Sequence, residues 1–320
     1  MGGSSTIHNV RSRSNSPPQS QRPGFAAGDL AEVRSASEIL ATLDADLRLD
    51  GLPFMPEMAT LIGQTTKVVR RTDPICVEGH GLRQIDDAVF LDEQRCDGAG
   101  HDGCQRGCLM IWKEAWLRPV GEPKPQISEG GEKPALERLL MGSIKDGERY
   151  LCQSTLLTDA TRPLAKSPFA VLANNVKRGE LPLPRLAEIV ARAVLKHALR
   201  LFGRDEIGKL TGKDGKTIEK LELQPGETVR VRDKATIART LDPQGYNRGM
   251  AYEAEMSSHA GKRYLVAGRV DRMIHEETGK MITPKSTVKL EGLNCQGKCA
   301  LNCGRANPLY WREAWLARDH

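Results

Sequence analysis

The chain has 320 residues, of which 39% are hydrophobic and 4% aromatic, and its formal net charge is +6. This length exceeds a single small scaffold and fits two or three domains. No run of 18 apolar residues occurs and the amino end has no apolar signal core, so the sequence predicts neither a membrane span nor secretion. A cytoplasmic location is therefore expected, where clustered thiols bind metal sooner than they form disulfides.

The first part of the chain divides into a tail and a compact domain. Residues 1–24 are rich in Ser, Pro and Arg and are predicted to be disordered. Residues 25–120 begin with an alternating stretch, continue with a short helix from Ser37 to Leu43, and end in a long hairpin that turns near Glu78–Gly81. Short strands joined by long loops predict an SH3-like small barrel, with an open meander sheet as the alternative.

A different composition follows this domain. Residues 121–134 are rich in Gly, Pro, Glu and Lys and are predicted to be a linker. Residues 135–222 are predicted to be a helical insert, because apolar residues recur at helical spacing from Arg185 to Phe202 and Gly203 follows as a stop signal.

The last part of the chain, residues 223–320, repeats the first domain. The two segments align at an offset of 198 residues from Gly28 and Gly226 onward, and after one inserted residue Cys96 aligns with Cys295 at an offset of 199. The repeats end on matching segments, Trp112-Lys113-Glu114-Ala115-Trp116-Leu117 and Trp311-Arg312-Glu313-Ala314-Trp315-Leu316. The expected fold is mainly β with a helical insert (α+β), and it contains two homologous SH3-like small barrels.

Each repeat carries a cluster of cysteines in one loop. The first cluster consists of Cys96, Cys104 and Cys108, and the second of Cys295, Cys299 and Cys303. Thiolates bind zinc or iron tightly, and glycine-rich loops let several of them converge on one ion. Three thiols at matching places in both repeats therefore favour metal sites, with reduced structural cysteines as the alternative.

Hairpin geometry selects a fourth ligand for the first cluster. Strands rise about 3.3 Å per residue, so Cys76 near the hairpin tip should lie too far from Cys96 at its base. His101 lies within the cluster itself. The predicted ligands of the first repeat are Cys96, His101, Cys104 and Cys108. Cys76 is a reserve ligand, because a strongly bent hairpin would return it to the cluster.

The same count selects a histidine in the second repeat. A turn at Thr278-Gly279 places Cys295 opposite Lys262, and so close to His259. The predicted ligands of the second repeat are His259, Cys295, Cys299 and Cys303. The alternative for His259 is a solvated loop histidine.

Zinc is the cofactor that these sets favour, and an iron–sulfur cluster is the alternative. Three Cys and one His in a short loop suit a tetrahedral structural zinc ion. The Cys-x3-Cys-x3-Cys spacing of the second repeat departs by one residue from the triad of a radical-type iron–sulfur protein, but other clusters accept looser spacing.

The tryptophans are predicted to be structural. All four belong to the segments that follow the cysteine loops, namely Trp112, Trp116, Trp311 and Trp315. A spacing of four residues places each pair on one face of a helix or tight turn, where it would plug the end of a barrel.

No catalytic residues are predicted. The chain has no Ser-His-Asp order, no nucleotide-binding glycine loop and no His-Glu-x-x-His. The segment from Gly212 to Ile218 resembles the Gly-x-x-Gly loop of KH modules, but it lacks the surrounding strand and helix pattern. Nucleic-acid binding is therefore not expected, and the expected partner is another protein.

The two repeats resemble a family of bacterial proteins. The resemblance covers nearly all of residues 25–320 and rests on the segments Ile39–Asp44, Asp50–Met58, Cys96–Gly98, Trp112–Leu117, Asn247–Gly249, Thr278–Met281 and Tyr310–Leu316. It implies duplicated SH3-like, Cys-rich domains and implies no particular activity. In that family a cysteine tends to precede the glycines that match Gly63 and Gly261, which implies a metal near the hairpin base; this chain has Ile62 and Ala260 there.

The sequence thus predicts a tandem-domain protein with structural zinc that serves as a binding, scaffold or accessory module. Zinc would stabilise barrels that are too small to be secure alone. The contrasting hypothesis is an iron–sulfur protein that transfers electrons or performs redox chemistry with a partner enzyme.

Overall fold

A computed structural model describes residues 24–125, 129–142, 145–164, 167–201, 208–297 and 301–319. Its fold is mixed α+β, with more strand than helix, and its antiparallel sheets include a curled half-barrel. We divide it into an N-terminal region (24–125), a middle region (129–201) and a C-terminal region (208–319). Within the described ranges, no helix is long and apolar enough to cross a membrane.

The N-terminal region contains nine strands and one α-helix. They are β1 (Leu30–Val33), α1 (Ala36–Leu40), β2 (Arg48–Leu49), β3 (Leu52–Pro53), β4 (Thr65–Arg71), β5 (Ile75–Val77), β6 (Gly81–Gln84), β7 (Ala88–Arg95), β8 (Leu109–Lys113) and β9 (Leu117–Pro119). Ser35 caps α1 through its hydroxyl, and Glu38 completes a capping box. A five-stranded antiparallel sheet has the order β8-β7-β4-β1-β9. Val68 of β4 pairs with Leu91 of β7.

The middle region contains three α-helices and three short strands. They are α2 (Glu129–Leu140), β10 (Lys145–Asp146), β11 (Arg149–Tyr150), β12 (Arg162–Pro163), α3 (Pro168–Lys177) and α4 (Leu183–Leu201). Part of the segment 121–134, expected as a linker, is therefore helical. The Glu132 carboxylate of α2 accepts hydrogen bonds from the backbone N–H groups of Ala36 and Ser37. These N–H groups at the N-terminus of α1 have no partner within the helix, so α2 supplies one. Leu139 of α2 is buried in the N-terminal core.

The C-terminal region repeats the order of the first. Its elements are β13 (Thr228–Val231), α5 (Lys234–Ala238), β14 (Tyr246–Asn247), β15 (Met250–Ala251), β16 (Arg263–Arg269), β17 (Met273–Ile274), β18 (Met281–Ile282), β19 (Thr287–Asn294), β20 (Pro308–Arg312) and β21 (Leu316–Arg318). Its five-stranded sheet has the order β20-β19-β16-β13-β21, which matches the first sheet strand for strand. The pair Val89 and Trp112 of the first sheet corresponds to the pair Val288 and Trp311 of the second.

The tryptophans belong to the two apolar cores. All four are fully buried. Trp116 and Trp315 lie in short 3₁₀ turns, and their indole N–H groups donate to the hydroxyls of Thr42 and Thr240 at 3.1 and 3.0 Å. Trp116 and Trp315 thus pack as apolar bodies whose single polar atom has a partner, whereas the indole N–H groups of Trp112 and Trp311 have none among the described residues.

The N-terminal and C-terminal regions meet at a seam with reciprocal contacts. Arg106 donates to the carbonyl of Ile274 at 3.0 Å, and Arg305 donates to the carbonyl of Cys76 at 3.0 Å. The two regions are therefore related by approximate two-fold symmetry across the seam. The cysteine loop of each region lies against the hairpin of the other. The hairpins are β5–β6 and β17–β18.

One carboxylate organises the centre of the seam. Glu276 is 3% exposed and pairs with Arg106 at 3.1 Å and, more closely, with Arg305. Burial alone raises the pKa of Glu276, but the positive charges of Arg305 and then Arg106 hold its pKa below the ordinary value. Ser154 of the middle region also donates to this carboxylate at 2.7 Å, so all three regions meet there.

Candidate metal centre

The loop between β7 and β8 brings its first and last cysteines face to face. The backbone N–H of Cys96 donates to the carbonyl of Cys108 at 2.8 Å, which extends the ladder of the two strands by one pair. The loop then turns at Gly98, whose φ of 78° lies in the left-handed region. A Cβ at this position would overlap the carbonyl of Cys104, so only glycine lets the loop close.

His101 lies in the 3₁₀ turn Ala99–His101 and points its ring into the protein. The residue is 1% exposed, and its Nδ1 lies 3.0 Å from Oε1 of Glu57. Within the described part of the chain, its Nε2 is buried and has no hydrogen-bond partner. A carboxylate on Nδ1 fixes the proton there and leaves the Nε2 lone pair free, which is the arrangement found behind metal-bound histidines.

Glu57 also contacts the neighbouring thiol. It lies in the 3₁₀ helix Pro56–Leu61, and its Oε1 is 3.7 Å from Sγ of Cys96 and accepts the N–H of Gly100 at 3.1 Å. Burial raises the pKa of Glu57, but the hydrogen bond from His101 and those from backbone N–H groups together hold the pKa below its ordinary value. The ligand atoms of Glu57, Cys96 and His101 all lie within 4.8 Å of one another, whereas among the described residues Cys104, Cys108 and Cys152 belong to no group as close as this one.

A small cavity adjoins Cys96 and His101. Its volume is about 30 Å³, and its lining includes every predicted ligand of the first repeat together with one further cysteine. These lining residues are Cys96, His101, Cys104, Cys108 and Cys152. A space of this size holds about one water-sized particle, so it is on the scale of a single ion.

Sequence reasoning missed Glu57 and Cys152 as members of this site. Glu57 recurs as Glu255 in the second repeat, and this recurrence indicates a fold role but not a contact with His101. Cys152 lies outside both repeats, and no local motif marks it. Burial and then the nearby charge of Cys108 raise the pKa of Cys152 to about 11, so its thiol is close to that of Cys108.

Cys104 faces the seam as well as the cavity. Its Sγ accepts a hydrogen bond from the backbone N–H of Ile274 at 3.4 Å. Cys303 makes the matching contact, since its Sγ accepts the N–H of Cys76 at 3.1 Å. The reserve ligand Cys76 therefore lies beside the loop of the C-terminal region, away from the cluster of its own repeat.

The structure describes three of the four predicted ligands of the second repeat, and Cys299 lies outside the described residues. His259 Nδ1 is 2.6 Å from the Tyr264 hydroxyl, and its ring packs edge-on against Trp311. Cys295 Sγ accepts the N–H of Gly297 at 3.4 Å. Across the described ranges, the ligand atoms of His259, Cys295 and Cys303 do not form a group as close as the one around His101. The second ligand set stays a prediction.

The Gly-x-x-Gly segment lies in the C-terminal region and packs against residues of the same region. The N–H of Gly212 donates to the carbonyl of Asp242 at 2.9 Å, and a Cβ on Gly215 would crowd Tyr246 and Asp242. Backbone contacts within the protein thus account for both glycines.

Comparison of the chain with family models, with curated proteins and with solved structures gives no match.

Proposed function

We propose that the protein is a zinc-binding tandem-domain module, with a structural zinc ion held in the loop between β7 and β8. The observation that carries this proposal is the close group of Glu57, Cys96 and His101, in which the buried Nε2 of His101 has no partner among the described residues. Other buried polar atoms of the described residues, such as Nε1 of Trp112, also lack a partner, but an imidazole nitrogen whose ring is held by a carboxylate on Nδ1 is a metal donor. Imidazole and thiolate are the donors that zinc prefers.

The role of Glu57 follows from its position on Nδ1 of His101. The carboxylate accepts the Nδ1 proton at 3.0 Å, and this contact directs the other nitrogen toward the ion. Glu57 then orients a ligand, while the thiols of the cavity complete the coordination. Four protein ligands would close the site, which favours a structural role over catalysis.

The architecture supports a binding or scaffold role. We propose that the two five-stranded sheets are SH3-like small barrels, since both are antiparallel, have the same strand order and carry a hairpin between matching strands. Small cores gain most from a bound ion, because the binding free energy adds to their folding free energy. The proposed partner is another protein, and the proposed compartment is the reducing cytoplasm.

An iron–sulfur cluster is the second candidate, and one observation favours it. Four cysteines line the same cavity, namely Cys96, Cys104, Cys108 and Cys152. Cysteine thiolates are the usual ligands of such clusters, and a cluster would give the protein an electron-transfer or redox role with a partner enzyme.

Metal analysis of the full chain, purified without oxygen, tests both candidates. We expect a colourless protein that contains zinc, and His101→Ala should lower the bound zinc by one equivalent per chain. The matched control is His197→Ala, because His197 is exposed on α4. A brown protein that contains iron and sulfide would favour the cluster. A chain without any transition metal, or zinc content unchanged by His101→Ala, would contradict the proposal.

A further inference from the structure

We propose that Cys152 of the middle region is a ligand of the zinc centre in place of Cys104, so that the ion is held by Cys96, His101, Cys108 and Cys152. This inference rests on the proposed function, and it makes the centre a joint between the N-terminal and middle regions. The class of ligand is a divalent ion that accepts one imidazole and three thiolates in a tetrahedron.

The packing of the cysteines separates them into two groups. Cys96 and Cys152 both pack against the apolar core of the N-terminal region. Cys104 belongs to a different apolar cluster at the seam, with Tyr150 and residues of the C-terminal region such as Ile274. The cavity lies where these groups meet, since cysteines of both groups line it together with His101.

The contact that Cys104 makes is explained without a metal. Its thiol accepts the N–H of Ile274, and the corresponding Cys303 accepts the N–H of Cys76. The same sulfur contact occurs on both sides of the seam. It therefore belongs to the packing of the two regions against each other. Cys152 has no counterpart in the second repeat, so symmetry assigns it no such structural role.

The residue after Cys152 fixes its position over β8. The side-chain oxygen of Gln153 accepts the N–H of Ile111 at 2.8 Å, and its amide nitrogen donates to the carbonyl of Ile111 at 2.8 Å. Both bonds are buried, so this two-point contact attaches the middle region to the strand that begins immediately after Cys108. The N–H of Cys152 donates to the Thr155 hydroxyl at 3.0 Å, which fixes its backbone as well.

A positive charge at the cavity suits three thiolates. Zinc with three thiolates and one neutral imidazole carries a net negative charge, which is costly to bury alone. Arg106 lines the cavity and is itself buried, so its guanidinium compensates this charge. Its own position is fixed by the carbonyl of Ile274 and by Glu276.

Zinc affinity of four serine variants of the full chain tests the assignment, with a chelating dye as competitor. We expect Cys96→Ser, Cys108→Ser and Cys152→Ser each to weaken zinc binding by more than about 100-fold, since loss of a direct ligand should exceed the loss caused by an outer-shell change. The matched control is Cys104→Ser, which should keep the affinity within about ten-fold. Strong loss in Cys104→Ser with little change in Cys152→Ser would overturn the inference and leave the proposed function intact. No zinc in the natural chain would defeat the proposed function itself.

A second measurement needs no variant and so does not depend on their folding. The natural chain is alkylated with and without excess zinc, and the rate at each cysteine is followed by mass spectrometry. Zinc should slow alkylation of Cys152 by at least about ten-fold, while the rate at Cys104 should depend on burial alone. Zinc-dependent protection of Cys104 and not of Cys152 would overturn the assignment.

Discussion

In their described residues, the two cysteine loops share the same backbone features and differ in the side chains that they carry. Cys96 N–H donates to the carbonyl of Cys108 at 2.8 Å, and Cys295 N–H donates to that of Asn307 at 2.7 Å. Both loops turn at a glycine with positive φ, Gly98 or Gly297. At the offset of 199, however, His101 and Cys108 correspond to Ala300 and Asn307.

Within the described residues, the shared backbone hydrogen bond and glycine turn thus do not depend on the predicted ligands. The metal centre proposed for the first loop would therefore be a function placed on backbone features that the second loop retains. The predictions below test which features belong to the shared backbone and which to the function.

The largest expected effect is a difference between two corresponding glutamates at the seam, Glu276 and Glu78. Glu276→Ala should cost about 3–5 kcal/mol of unfolding free energy, because it leaves the buried Arg305 and Arg106 without their shared carboxylate. The matched variant is Glu78→Ala at the corresponding position, where the side chain is 46% exposed and the cost should stay below about 1 kcal/mol. Urea denaturation of both variants measures the difference, and equal costs would contradict the asymmetry.

Zinc removal should separate the two loops. Chelation should lower the unfolding free energy by about 4 kcal/mol when free zinc had been a thousand-fold above the dissociation constant. His101→Ala should abolish this zinc dependence. His259→Ala tests the second loop in the same assay, and a second zinc equivalent lost in that variant would confirm the predicted site there. Thermal unfolding of both variants with and without chelator measures the zinc dependence of stability. A zinc dependence that persists in His101→Ala would contradict the site proposed in the first loop.

The tryptophan contacts should behave alike in both regions, because they belong to the features that the two regions share. Thr42→Val and Thr240→Val each remove the acceptor of a buried indole N–H and should cost about 1–3 kcal/mol. If one variant lost about 1–3 kcal/mol of unfolding free energy and the other lost an amount outside this range, the two tryptophan contacts would not be equivalent. Chemical denaturation of the paired variants is sufficient for this comparison.

The smallest expected effect is a dependence of stability on acid. The folded pKa of Glu276 lies below its ordinary value of 4.5, so the stability it contributes is present above that value and is lost as pH falls through the folded pKa. Glu276→Gln should therefore flatten the loss of stability below about pH 4.5. Denaturation midpoints of the natural chain and of Glu276→Gln, measured as a function of pH, test this. The same pH dependence in both proteins would show that the Glu276 carboxylate does not contribute to it.

Sequence reasoning identifies local features and misses long-range ones. The short spacing of the loop places Cys96 near His101, and the structure agrees. Glu57 and Cys152 join the site from distant parts of the chain, which periodicity and spacing cannot reveal. The helical part of the expected linker has a similar cause, since contacts of α2 with α1 override a composition rich in Gly and Pro.

The reciprocal sulfur contacts have a consequence for biosynthesis. The N–H that reaches the Cys104 thiol comes from a residue 170 positions later, and Cys76 and Cys303 are separated by 227 positions. During synthesis on the ribosome, the first cysteine loop therefore cannot form its contacts with the C-terminal region until that region has been made. During that interval the early thiols are exposed to chaperones, oxidants and free metal, and the second half acts as the cover that ends this exposure.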